Sequence, residues 1–179
     1  MYEKLPNLVF GFHGCNKDTY EKVLYKHKDL KKSDNKYDWL GNGIYFWENS
    51  YQRAYEWAEK RYENPAVLGA IIDLGRCLNL TDDHTSSILR RGYEMLKIKC
   101  ETTDNDMPQN RSGKSKTDIL LRDLDCAVIQ QIHEYNSETK QPGYDSVRGV
   151  FEEGEEVYPG SALRENCLLY TSPSPRDQR

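Results

Sequence analysis

The chain has 179 residues, 37% hydrophobic and 30% charged, with a formal net charge of −4. That length fits one domain with its own core, and no apolar run approaches the ~20 residues a membrane-spanning helix needs. The acidic balance argues against a dedicated binder of nucleic-acid phosphate, whose grip rests on a basic surface.

Leu8 to Phe12 reads as a strand running into His13-Gly14. Asp18 then precedes Thr19-Tyr20-Glu21 in a capping-box pattern, and Tyr20, Val23, Leu24 and His27 keep the spacing of one helix face. Lys28 to Asp38 is polar and charged, an expected exposed loop. Trp39 to Phe46 reads as a glycine-pinned turn entering a short aromatic strand. Asn49 or Ser50 caps the next helix, on which Tyr51, Ala54, Tyr55, Ala58 and Tyr62 share helical spacing and which Pro65 is expected to end. Ala66 to Leu74 reads as a buried strand closed by Gly75. Helices are expected over about residues 85–99 and 117–135, the second with Ile119, Leu120, Leu124, Ala127, Val128 and Ile132 on one side. Glu101 to Lys116 is a polar linker between them, Tyr144 to Phe151 a strand, and Glu152 to Gly160 an acidic loop. Short strands with helices interspersed make the fold class α+β.

From about Asn166 the pattern changes. Residues 168–179 carry two prolines and neither helical nor strand periodicity, so 1–165 is taken as the domain and 166–179 as a non-native or disordered tail. The string Cys-Leu-Leu-Tyr-Thr-Ser-Pro-Ser-Pro-Arg-Asp resembles a translated sequencing-adaptor fragment, as at the ends of reading frames in metagenomic assemblies. The N-terminus lacks the layout of a secretory signal. The five cysteines, with no Cys-x-x-Cys pair, fit neither a disulfide framework nor a zinc site. Free thiols in a reducing cytoplasm are expected, with no metal and no membrane.

Three features carry chemistry: Phe12-His13-Gly14 at a strand end, Gly41-Asn42-Gly43-Ile44-Tyr45-Phe46, and the aromatic helix with Tyr51, Tyr55 and Trp57. Breaking a nicotinamide–ribose bond calls for an aromatic face against a flat cationic ring and for backbone groups that pair with its carboxamide. Glycine lets that backbone come close. A histidine can hydrogen-bond a ribose hydroxyl, and the oxocarbenium-like state needs an electrostatic partner.

A strand ending in His-Gly, followed about thirty residues later by Gly-x-Gly-Ile-Tyr-Phe and a helix, resembles the NAD-binding half of the diphtheria-toxin/poly(ADP-ribose) polymerase branch of ADP-ribosyltransferases. The likeness is closer to small bacterial members with Trp-Leu-Gly-x-Gly-Ile-Tyr-Phe-Trp-Glu and Glu-Trp-Ala. It covers about Val9 to Leu80, with a weaker match from Tyr144 to Glu165. It implies a split β-sandwich with an NAD cleft between two small sheets, here missing its last strand or strands. It further implies that His13 meets the ribose 2′-hydroxyl, that the Gly14 backbone pairs with the carboxamide and that Tyr45 stacks on nicotinamide, with Gly43 also cofactor-binding. The second stacking tyrosine of the polymerases falls here on Glu56, so Tyr55 or Trp57 serves instead. The third motif, a late-strand Glu or Gln, should follow Tyr158-Pro159-Gly160-Ser161, where the suspected tail begins, and no residue is assigned to it.

The resemblance implies a mono-ADP-ribosyltransferase, a toxin or phage-defence effector, with NAD as substrate and a protein or nucleic-acid acceptor left open. An antitoxin or chaperone is a candidate further partner. An NAD glycohydrolase and a non-catalytic NAD- or nucleotide-binding module are the alternatives. Glu152, Glu153, Glu155 and Glu156 read as a solvated surface, Tyr51 and Tyr62 as core aromatics, and His27, His84 and His133 as surface residues. Arg53 and Arg76 read as solvated charges, with pyrophosphate contact as the alternative.

Overall fold

The computed structural model describes residues 8–112, 121–156, 158, 159, 161 and 164–172, of which 152–156, 164–170 and 172 by backbone alone. The elements, in chain order, are β1 (Leu8–Asn16), α1 (Lys17–Lys26), β2 (Ile44–Glu48), α2 (Tyr51–Glu59), β3 (Pro65–Asp73), β4 (Cys77–Asn79), α3 (Asp83–Thr103), α4 (Asp123–Glu138), β5 (Ser146–Glu156) and β6 (Arg164–Ser172). The α+β class is as expected. The strands form one hydrogen-bonded sheet in the order β3-β1-β2-β6-β5-β4. Neighbours are antiparallel except β4 and β5, which run parallel. Two small sheets flanking a cleft were expected; the described strands form one six-stranded sheet instead. β1 pairs with β3 along its whole length, but with β2 only at Gly11–Glu48 and Phe12–Trp47.

Side chains alternate between the two faces of a strand. One face carries Trp47, Leu78, Val147 and Phe151, packed with Leu40, with Ala54 of α2, Leu96 of α3 and Ile129 and Ile132 of α4. The opposite face holds a smaller cluster of Ile44, Phe46, Ile72 and Leu74, with Leu30 against it.

Several boundaries differ from the sequence reading. β1 continues through His13-Gly14 to Asn16, and Asn16, rather than Asp18, caps α1 by accepting from Thr19 N at 2.7 Å. Asn16 already pairs with Pro65 at the sheet end, so the turn into the helix begins there. None of the expected α1 face is buried, and His27 ends the helix in a left-handed conformation (φ 50°). Ser50 caps α2. Pro65 does not end that helix, which stops at Glu59; it opens β3, a position that needs no main-chain donor. β4 was not anticipated. α3 starts behind its cap Asp82 and runs to Thr103, into the expected linker, and α4 starts at Asp123. Ile119 and Leu120 lie outside the described residues.

The acidic run is strand rather than loop. β5 carries its backbone through Glu152–Glu156, with a register irregularity between Glu153 and Glu156. The larger correction concerns the tail: residues 166–172, set outside the domain by the sequence reading, are backbone of β6. This strand lies inside the sheet, paired to β2 from Ile44–Ser172 to Trp47–Leu169 and to β5 from Val147–Thr171 to Glu156–Arg164. The side chain of Thr171 is 1% exposed and donates to the Leu40 carbonyl at 3.3 Å. Thr171→Ala removes that buried donor and should cost about 1–3 kcal/mol, read as a lower urea midpoint. An unchanged midpoint would place the segment outside the cooperative unit.

Candidate functional site

The sequence-selected residues meet where β1 and β2 part. Past the Phe12–Trp47 pair the strands diverge, and the His13 ring turns to β2. Its Nδ1 lies 2.8 Å from the main-chain oxygen of Tyr45, across a sequence separation of 32. A carbonyl only accepts, so Nδ1 carries the hydrogen and the neutral ring keeps Nε2 as an acceptor. Burial lowers the His13 pKa, partly offset by the Tyr45 bond, which favours that neutral form. Its aromatic neighbour is Phe46, ring centroids 5.7 Å apart.

Tyr45 meets His13 through its backbone; its side chain works elsewhere. The hydroxyl accepts from Leu40 N at 2.9 Å and donates to Gly41 O at 2.8 Å, clasping the turn that leads into β2. Burial raises its pKa far above that of a free phenol, the bond from Leu40 opposes the shift, and Asp38 and Cys126 add to it. Gly41 in that turn has φ +79°, and a Cβ there would lie 2.6 Å from Gln130 Nε2, so only glycine fits under α4. Asp38 is buried and accepts from Asn35 N at 2.9 Å, giving the expected exposed loop an ordered end.

The other candidates are also engaged. Both main-chain groups of Gly43 bond to Ser33, at 3.0 and 2.8 Å. Gly14 lies under α2, where a Cβ would fall 2.3 Å from Ala54 O and 3.2 Å from Trp57 Cε3. Close helix–strand packing thus accounts for that glycine. Trp57 and Tyr55 part company. Trp57 faces the sheet beside Gly14 and Trp47 (5.7 Å), with the Arg61 guanidinium 4.1 Å from its ring centroid. Tyr55 stacks on Tyr51 at 6.2 Å, and Tyr51 meets the edge of Phe12 at 6.1 Å. Tyr51 is exposed rather than core.

The sequence reading missed a charged pair. Glu48 and Arg148 meet at 3.1 Å, both largely buried, across the intervening β6. Glu48 stands opposite Gly11, so the pleat puts its side chain on the His13 face, diagonal neighbours there being about 7–8 Å apart. The signal was present in Ile44, Phe46 and Glu48, whose alternation runs on into a charge. Arg53 pairs with Glu56 at 3.2 Å. Arg76 donates to the Pro142 and Gly143 carbonyls and lies over the Tyr144 ring at 4.6 Å. His133, expected at the surface, is half-buried with its ring edge-on to Tyr144, and burial lowers its pKa.

Two cavities lie elsewhere. One, of about 320 Å³, is lined by Asp34, Lys36, Asn42, Cys126 and Gln130; the other, of about 280 Å³, lies between α3 and α4 at Leu89, Tyr93, Leu124 and Val128. No group of three or more His, Cys, Asp or Glu among the described residues could hold a metal. No helix among them is long and apolar enough to cross a membrane. Comparison with family models, with curated proteins and with solved structures gave no match.

The lowered His13 pKa gives a signed pH dependence. Above its ordinary value of 6.5 the imidazole is neutral whether the chain is folded or not. Below it the unfolded chain takes up the proton first, so stability falls as pH drops and levels off beneath the folded-state pKa. His133 acts in the same direction. Urea midpoints between about pH 7.5 and 5 should therefore fall less steeply in His13→Gln, and least in the double variant with His133→Gln.

Proposed function

We propose that this protein is a mono-ADP-ribosyltransferase that breaks the nicotinamide–ribose bond of NAD⁺ and passes ADP-ribose to a macromolecular acceptor. The supporting observation is the seating of the His13 imidazole, within β1, on the Tyr45 backbone where β1 and β2 diverge. In the fold reading that goes with it, this junction is the seam of a split β-sandwich. In the reaction the C1′–N1 bond breaks and its electron pair leaves with nicotinamide, which becomes neutral. A lone pair of the acceptor forms the new bond to C1′, and the acceptor's proton passes to solvent.

His13 Nε2 accepts from a ribose hydroxyl and orients the sugar. Glu48, with one oxygen held by Arg148, supplies negative charge on the His13 face for the cationic ribose. Both helix aromatics are engaged within the protein, Trp57 with Trp47 and Arg61 and Tyr55 with Tyr51, and α2 packs on the sheet face opposite His13, so no second stacking residue is assigned. The acceptor is a protein or nucleic acid. A cytoplasmic setting and an antitoxin or chaperone partner belong to the same reading.

One observation favours a non-catalytic nucleotide-binding module: the Gly43 main chain and the Tyr45 hydroxyl are engaged within the protein. Transfer, hydrolysis and binding alone separate when nicotinamide release from NAD⁺ is read beside thermal stability. Transfer predicts release with labelled acceptor, hydrolysis predicts release with free ADP-ribose, and a binding module predicts thermal stabilisation by NAD⁺ without release. Under the transferase reading His13→Ala and Glu48→Gln each lower kcat by about 10²–10³. Release at the wild-type rate in His13→Ala removes the site assignment.

A further inference from the structure

The two edges of the sheet are unlike. β4 is three residues long, a short edge of the kind that resists pairing. β3 is nine residues long and, among the described residues, hydrogen-bonded on its β1 side alone. Its ladder with β1 is unbroken from Leu8–Asp73 to Asn16–Pro65, with no bulge to twist the edge away. From Ala66 to Ile72 it carries no charge. Ile71 is 66% exposed, Phe10 directly opposite it on β1 is 60% exposed and Leu8 beside them 64%. Exposed edges in soluble proteins are usually broken by charge, proline or a bulge. β3 has none of these along its middle.

We infer that β3 is the interface of a two-fold homodimer, in which two copies pair edge to edge in antiparallel register about Gly69. That register alone pairs all nine residues: Ile71 meets the partner's Val67, Ala70 the partner's Leu68 and Ile72 the partner's Ala66. The single charge, Asp73, meets the partner's Pro65, so no like charges oppose.

The faces match as well. α2 packs on Gly14, the β1 partner of Val67, so it covers the sheet on the face and at the level of Val67. Pairing about Gly69 brings the partner's α2 alongside Ile71 and Phe10, two of the residues each copy leaves bare. The axis uses both β3 edges, so assembly closes at two.

Sedimentation equilibrium of the full chain tests this, and a dimer with a single association constant is expected. Ile71→Lys puts a charge on the exposed edge and should raise the dissociation constant by about tenfold or more, with an unchanged far-UV circular dichroism spectrum. Gly69→Cys is tolerated in the fold, since its Cβ meets the Phe12 ring at an ordinary 3.5 Å. A short bis-maleimide should join two such chains through residue 69, and the unaltered chain, with its native cysteines, should give no such product. The proposal is overturned by a wild-type monomer at all concentrations, including one that pairs only with a foreign strand. Open-ended assembly, a dimer indifferent to Ile71→Lys or absent cross-linking at residue 69 overturns it too.

Discussion

The arrangement depends on a phenol used as a clasp. Tyr45 reaches back to take the Leu40 N–H and the Gly41 carbonyl, so the chain entering β2 is closed by a side chain five residues downstream. Leu40 is then held from both sides, because its own carbonyl accepts from Thr171 of β6. With Gly41 against Gln130 and Ile129, one turn fixes how β2, β6 and α4 sit together. The polar groups of so tight a turn need partners once water is excluded. Among the described residues no buried side-chain polar atom lacks one.

The same clasp shapes the candidate site. By anchoring β2 ahead of its pairing with β1, it keeps the two strands in register for two residues only and leaves the Tyr45 carbonyl to be met by His13 instead of a backbone amide. The imidazole thus stands where a ladder hydrogen bond would otherwise run. A half-buried imidazole on one strand, its pKa lowered by burial, and a carboxylate restrained by Arg148 on the next make an asymmetric electrostatic setting on one sheet face.

Much of this was legible beforehand. The apolar runs of β1 and β3 and the helical spacing of α2 followed from local pattern, although β3, expected to be buried, is an edge strand with Ile71 exposed. His13 and Tyr45, expected to share a ligand through their side chains, meet through the Tyr45 backbone instead. The exact use of the tyrosine did not follow, because spacing places a ring near a partner without saying whether its face or its hydroxyl makes the contact. Gly14 was read only through its main chain, and the packing of α2 above it, which by itself calls for a glycine there, was not anticipated. The acidic stretch after Phe151 was read as loop because charge outweighs backbone propensity in a local window, yet pairing with β6 carries it as strand. β6 itself was passed over because Pro173 and Pro175 coloured the whole segment, although Cys167-Leu168-Leu169-Tyr170-Thr171 is a short apolar and β-branched run suited to a strand. Glu48 was hidden by standing next to the more conspicuous aromatic motif.

The place of β6 in the strand order bears on how the protein comes to be made. β1, β2 and β3 leave the ribosome early, whereas β4 and its partner β5 are separated by the long excursion through α3 and α4. Until Arg164 to Ser172 arrive, these are two unjoined half-sheets, each with an interior edge open to water. Nascent chains at that stage expose the surface on which chaperones act, and the central strand, the last of the described strands to emerge, is the stitch that closes it.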